Sequence, residues 1–241
     1  MAQYIYGRNT VREKLHGEEN IEEAYILEGF KDATITSLLT KKKIKVVKCN
    51  RSKLDKIANN TFHQGIILKV KEYKTCDLNE LLQDNKDNEN ALLVILDGVV
   101  DPHNVGAILR TSEAIGVNGI IVPKNNSAPL NATVAKTSTG AIELVPIAKV
   151  TNLTNTITKL KDNGYWIVGA EAKESVDYRS VDYKGKIALV LGSEGQGISR
   201  LVLENCDYRV RLPMVGQITS LNVSVATAVL LYQVYNSRNP L

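Results

Sequence analysis

An α/β protein built on a mostly parallel sheet is what this sequence predicts, and three observations predict it. Short apolar, β-rich runs recur behind residue 90, at residues 92–96, 119–122, 144–147, 165–169, 187–191 and 208–212. Helix-like segments separate most of them, the alternation that produces parallel strands covered by helices on both faces. The polar, glycine-rich stretches follow particular runs, at residues 97–104, 192–197 and 214–220, and in such sheets ligands are received at the carboxyl ends of strands. Three loops from one sheet edge can build one pocket.

Taken in order, the front of the chain alternates helix-like and strand-like segments: residues 10–15, 23–27, 35–41, 45–48 and 66–70 make a small α/β module. Residues 77–90 turn polar and rich in Asn and Asp, which predicts a short helix and a linker. The expected division is therefore 1–75 for the first domain, 76–90 for the linker and 91–241 for the second. At the far end Pro213 and Gly216 interrupt a strand, and Ser220 stands where a helix N-cap is expected. In the helix that follows, Leu221, Val225, Val229 and Tyr232 form one apolar stripe. Val223, Ala226, Leu230 and Val234 form a second, about 200° round the wheel. A helix apolar on opposite faces must be covered twice: one face packs on the chain's own sheet, and the other most simply meets a second subunit.

With 241 residues, 44% hydrophobic and 23% charged, the chain can bury a substantial core. It opens without an apolar leader, and no run approaches the ~18 apolar residues a membrane span requires; a cytoplasmic protein with no membrane partner is the expectation. Cys49, Cys76 and Cys206 are scattered and odd in number, a pattern of free thiols with no metal site. Net charge is +4, unevenly spread: residues 1–75 hold 15 Lys and Arg against 9 Asp and Glu, the remainder 15 against 17. Residues 41–56 alone carry eight positive side chains and one negative. A solvated helix-to-strand surface and a patch for a phosphate backbone both fit that run.

The loops carry the chemistry. Asp101-Pro-His-Asn104 precedes a helix with Arg110 two turns inside it; a capping Asn104 with a surface Arg110 is one reading, a site the other. His103 reads as a loop histidine. Gly192-Ser-Glu-Gly-Gln-Gly197 lacks the Lys-Ser/Thr of a P-loop and the spacing of a dinucleotide fingerprint. Its glycines would instead allow close backbone approach to a flat ligand such as adenine, with Glu194 as an acceptor.

Together these segments resemble the signature blocks of the SpoU/TrmH family, the 2′-O-ribose methyltransferases of the SPOUT (α/β-knot) class. The first block is similar to residues 101–117, the second to 189–197 and the third to 212–226. Ser127-Ala-Pro-Leu-Asn-Ala-Thr133 and Gly140-Ala-Ile-Glu-Leu-Val-Pro146 resemble the branch that methylates guanosine of 23S rRNA. Tyr6-Gly-Arg-Asn-Thr-Val11 and His63-Gln-Gly65 are similar to that branch's small N-terminal, L30e-like RNA-binding domain. The resemblance implies a C-terminal trefoil knot, S-adenosylmethionine held by the backbone at Gly192, Leu212 and Leu221, and catalytic positions at Asn104, Arg110, Glu194, Ser220 and Asn222. It also implies a homodimer through the C-terminal helix and an RNA partner, which turns the basic run at 41–56 toward RNA contact. Leu212 stands where the family commonly has Ile, and residues 171–186 align with nothing usable.

The expected reaction is S-adenosylmethionine-dependent 2′-O-methylation of a guanosine ribose in 23S rRNA. A tRNA ribose methyltransferase of the same family is the nearest alternative, against which the front domain argues. A non-catalytic RNA-binding protein and a dinucleotide-dependent oxidoreductase are the readings from other classes. The family's proposed base is Arg110, yet guanidinium keeps its proton above pH ~12. Binding the target phosphate and stabilising the developing alkoxide suits Arg110 better, with Asn104 assisting and Glu194, Ser220 and Asn222 orienting the pocket.

Overall fold

The structure, a computed structural model, describes residues 2–17, 21–59, 61–71 and 73–240. It divides into two compact units, residues 1–73 with 130–133, and residues 74–129 with 134–241.

The first unit runs β1 (Ala2–Tyr6), α1 (Arg8–His16), β2 (Ile21–Leu27), α2 (Ala33–Lys41), β3 (Lys45–Cys49), α3 (Arg51–Ala58) and β4 (Ile66–Lys71). Its sheet has the order β1-β4-β2-β3, with β2 and β3 parallel and the other pairs antiparallel. Period-two alternation along β4 sends Ile66, Leu68 and Val70 into one core with Val11, Leu15 and Ile35, and sends Ile67 into another with Cys49, Leu54 and Ala58. Asp32 and Asn50 cap α2 and α3 by accepting from the amides of Ile35 and Lys53. Two elements, β1 and α3, go beyond the five expected segments. The basic run at 41–56 hides α3, because only Leu54 and Ala58 are buried among its charges. That run is split over the end of α2, β3 and α3, and Lys45 within it is paired with Glu23.

The second unit runs α4 (Leu78–Asp84), β5 (Leu92–Asp97), α5 (Pro102–Ile115), β6 (Gly119–Pro123), α6 (Ala132–Thr137), β7 (Ile147–Val150), α7 (Leu153–Asp162), β8 (Trp166–Ala170), β9 (Val176–Asp177), β10 (Ile187–Gly192), α8 (Arg200–Glu204), β11 (Tyr208–Arg211) and α9 (Val223–Arg238). The sheet order is β7-β6-β5-β10-β8-β11-β9, and every pairing in it is parallel. From β5 the chain winds outward to β7, crosses to β8 on the other side, and later inserts β10 between β5 and β8. Such a reversal opens a crevice at the carboxyl ends of the strands.

Three expectations are corrected. The run at 144–147 is not a strand throughout: Leu144 is exposed, and pairing with β6 starts only at Ile147, after Pro146, which has no N–H to donate. Asp101, not Asn104, caps α5, with Pro102 at the first helical position and Asp101 Oδ1 accepting from His103 N. Asn222, not Ser220, caps α9 by accepting from the amides of Ser224 and Val225.

Candidate active site

The two cap corrections place the central polar cluster of the second unit. Because Asp101 serves the start of α5, the Asn104 side chain is free for other partners. Asn104 Nδ2 donates to Glu194 Oε1 at 3.1 Å, and Asn222 Nδ2 donates to Asn104 Oδ1 at 2.9 Å and also to Glu194 Oε1. The cap settles which end of the Asn222 amide faces the cluster: its oxygen is taken by the first amides of α9, so its nitrogen points to Glu194 and Asn104. The first turn of α5, the turn after β10 and the cap of α9 thus each contribute one residue to a triangle, and α5 packs against α9.

The Glu194 corner is held by its own turn. Glu194 sits in a tight turn where Ser193 and Gly197 exchange backbone hydrogen bonds at 3.2 and 2.9 Å. A side chain on Gly192 would overlap the backbone of Gly197 and Ile198, so this glycine is required by the turn itself. Asp97 at the end of β5 accepts from Ser199 N at 2.7 Å and fastens the far side of the turn.

Beside the triangle lies a cleft of about 570 Å³, lined by residues 210–214 and by Thr219, Ser220, Leu221, Ala226 and Leu230. The expected cofactor residues Leu212 and Leu221 line it; Gly192 does not. Ser220 lines this cleft as well, and it lies outside the hydrogen-bonded triangle. Arg110 is exposed, and among the described residues its side chain has neither a hydrogen-bond nor an ion-pair partner. A solvated cation without a partner is free to take a phosphate.

Glu171 is the lining residue that the sequence reading missed. Its Oε1 accepts from the amides of Ala172 and Lys173 at 2.7 and 3.1 Å, and it follows directly on β8. The carboxyl-end rule that selected the other loops would have found it, had residues 171–186 not lacked a motif. The lining is chiefly apolar, with the hydroxyls of Thr219 and Ser220 and one charge of each sign, Glu171 and Arg211, a mixture that suits a flat heterocycle joined to a charged chain. Among the described residues no cluster of three His, Cys, Asp or Glu side chains could hold a metal ion, and no helix is long and apolar enough to cross a membrane.

Residues 91–232 match the SpoU rRNA methylase family, and residues 4–76 match the RNA 2′-O ribose methyltransferase substrate-binding domain. A protein of Staphylococcus aureus (strain COL) assigned to the TrmH family of tRNA/rRNA methyltransferases is 46% identical over 239 residues, covering 98% of this chain and 96% of the relative. The AdoMet-bound rRNA methyltransferase of Sinorhizobium meliloti has the same fold, with a TM-score of 0.65 and 24% identity over 100% of this chain and 88% of the other. The TrmH/SpoU tRNA-modifying enzyme of A. aeolicus is 35% identical, with a TM-score of 0.57, over 66% of this chain and 83% of its own.

Proposed function

This chain belongs to the SpoU rRNA methylase family, and from that premise we propose that it transfers a methyl group from S-adenosylmethionine to the 2′-hydroxyl of a guanosine ribose in 23S rRNA. The observation that carries the reading is the triangle of Asn104, Glu194 and Asn222 beside the cleft of Leu212, Ser220 and Leu221. Family membership makes the protein an RNA methyltransferase that uses S-adenosylmethionine. The substrate-binding match over residues 4–76 favours rRNA, because the tRNA-modifying A. aeolicus enzyme aligns with only 66% of the chain. That enzyme's 35% identity keeps tRNA as the second reading.

Bound in the cleft, the cofactor supplies a methyl group already activated by its sulfonium. What remains for the chain is to align the ribose oxygen with that methyl and to manage one proton. In our reading the apolar side chains of Leu212, Leu221 and Leu230 would hold the adenine, and Glu171 would favour the cationic end. Arg110 takes the target phosphate and stabilises the developing alkoxide. The proton goes to Glu194, whose Oε2 has no hydrogen bond among the described residues while Oε1 is held by both asparagines. Residues 1–75 act as the RNA-binding, L30e-like domain and 91–241 as the catalytic domain with its trefoil knot; the expected linker, 76–90, joins them through α4, whose Leu81 and Leu82 lie in the core of the second unit.

The active form in this reading is a homodimer. Of the two stripes on α9, Val223, Leu230 and Val234 are buried within the chain, while Val225, Val229 and Tyr232 stay 49%, 36% and 50% exposed. An apolar face of that kind on a helix already packed on its other side matches the second copy expected from the sequence.

The test is transfer of labelled methyl from S-adenosylmethionine to separate rRNA and tRNA pools, followed by mapping of ribose methylation. Label is expected on a ribose of large-subunit rRNA, with Arg110→Ala and Asn104→Ala each slower by about a hundredfold or more. Label on a base, or in neither pool, would sink the reading; near-normal turnover in Arg110→Lys would remove planar phosphate recognition from it.

A further inference from the structure

We propose that a cleft within the first unit, between the turn after β2 and the loop before β4, seats a single unstacked RNA nucleotide. The inference rests on the reading that this protein acts on RNA. It starts from two short motifs, residues 6–11 and 63–65, which the catalytic account leaves unused and which the fold joins. The backbone amide of Arg8 donates to Gln64 Oε1 at 2.7 Å, and Arg8 Nε donates to the Gln64 carbonyl at 3.5 Å. The amide contact does work that the N-cap of α1 cannot, because Gly7 has no side chain with which to cap the helix.

Gln64 holds a φ of +53°, a region that residues with a side chain seldom occupy. Gly65 follows at φ +81°, and a Cβ there would press on the Phe30 ring at 3.2 Å and on Leu27 at 3.4 Å. This glycine therefore lets Phe30 lie against the loop. Over the ring sits the Arg8 guanidinium, 5.0 Å from its centroid. Ring and guanidinium form a stack whose orientation is set by Gln64 and Gly65 before any ligand arrives.

The surrounding cleft, about 330 Å³, is also lined by Lys31, Arg51 and Thr61, and among the described residues no Asp or Glu lines it. Of the nearby carboxylates, Asp32 is paired with Arg12 at 3.0 Å and Asp55 with the lining His63 at 3.0 Å, which leaves exposed Glu28, in the turn after β2, as one acidic neighbour against the three cations Arg8, Lys31 and Arg51. Among the described residues Lys31 and Arg51 have no ion-pair partner. Unneutralised cations ask for phosphate, and a preset flat stack asks for a base. The size suits one nucleotide and excludes a duplex, and splayed-out bases stacked on aromatic and guanidinium planes are how single-stranded RNA is held. An acidic peptide would satisfy the cations and leave the stack unused.

The experiment is fluorescence anisotropy of the full chain with two probes, a labelled unstructured oligoribonucleotide and a blunt RNA duplex of equal length. Arg8→Lys keeps the charge and removes the plane, and Phe30→Leu removes the ring. Each is expected to weaken the single strand by about tenfold and the duplex far less. Replacing Lys31 and Arg51 by Ala should lower the salt dependence by about one unit of slope for each cation. Single-strand binding like the unaltered protein's in both Arg8→Lys and Phe30→Leu overturns the proposal, as does an equal loss for both probes, which would mean a plain charged surface. Amide hydrogen exchange of β2 and β4, which pair in the first unit, reports that this unit stays folded in each variant. If the unaltered protein methylates RNA while the variants bind like it, only the nucleotide seat fails; if it binds neither probe and transfers no label, the RNA reading fails with it.

Discussion

In the second unit β5 and β10 each bury five of six residues, whereas in the first unit β3 buries only Cys49 of its five. The central strands of the larger sheet are parallel and covered on both faces, so nearly every position must be apolar. In the smaller sheet β4 buries side chains in a core on each face, while β2 and β3 leave most side chains exposed or half-buried and carry cross-strand ion pairs, Lys45 with Glu23 and Lys69 with Glu22. The larger sheet is a platform covered on both faces whose strand ends carry the loops of the candidate site. The smaller one spends its surface on charge, which is what a nucleic-acid partner requires. Stability and chemistry should therefore be most sensitive in the second unit, and salt-dependent binding in the first.

The sharpest way to break this contrast is to cut into each sheet. Leu189→Ala, at a fully buried position of β10, is expected to cost about 3 kcal/mol by chemical denaturation. Val46→Ala in β3, where the side chain is exposed, should stay within about 0.5 kcal/mol; equal losses would contradict the two-sided covering. A second test probes how tightly the platform packs. A Cβ on Gly169 in β8 would lie 2.8 Å from Cys206 Sγ, so Gly169→Ala should cost about 2 kcal/mol. Adding Cys206→Ala should recover much of that loss, and strict additivity in the double-mutant cycle would assign the cost elsewhere.

Titration separates the units by cause. Burial pushes the Cys206 thiol from its ordinary 9.0 up to about 12. The unfolded thiol then ionises first, so this contribution to stability is complete below about pH 9 and is lost as pH rises toward about 12. A loss on the order of 1 kcal/mol by about pH 10 is expected in unfolding midpoints, and it should be smaller in Cys206→Ala. The smallest effect concerns two tyrosines that are both pushed up to about 12: Tyr165 by burial, and Tyr25 chiefly by its hydrogen bond to Glu23. Glu23→Gln should bring Tyr25 back toward its ordinary value in a phenolate absorbance titration while Tyr165 stays high. Parallel movement of both would deny the distinction.

Much of the larger unit was legible because continuous apolar runs such as 92–96 and 187–191 leave a buried parallel strand little alternative. The smaller unit was less so: α3 carries its charges outward and shows only Leu54 and Ala58 to the core, too few for a period to stand out. At the candidate site, pattern selected segments that the fold brings together, yet their helix caps fall on other residues. Ser220 and Asn104 are good capping residues, and only the fold shows Asn222 and Asp101 holding those places. Glu171 escaped notice because a lone carboxylate past a strand has no pattern to distinguish it.

Patterning by itself therefore determined the α/β class, the succession of strands and helices, the loops that carry polar groups, and the two apolar faces of the last helix. These follow from local rules of periodicity and punctuation that act over a few residues. Tertiary structure decided that β10 inserts between β5 and β8, that Asn104, Glu194 and Asn222 close a triangle across 118 residues of chain, and that Gln64 reaches Arg8. Those contacts depend on which distant strands pair and which polar group a cap leaves free, and no window along the chain contains both partners.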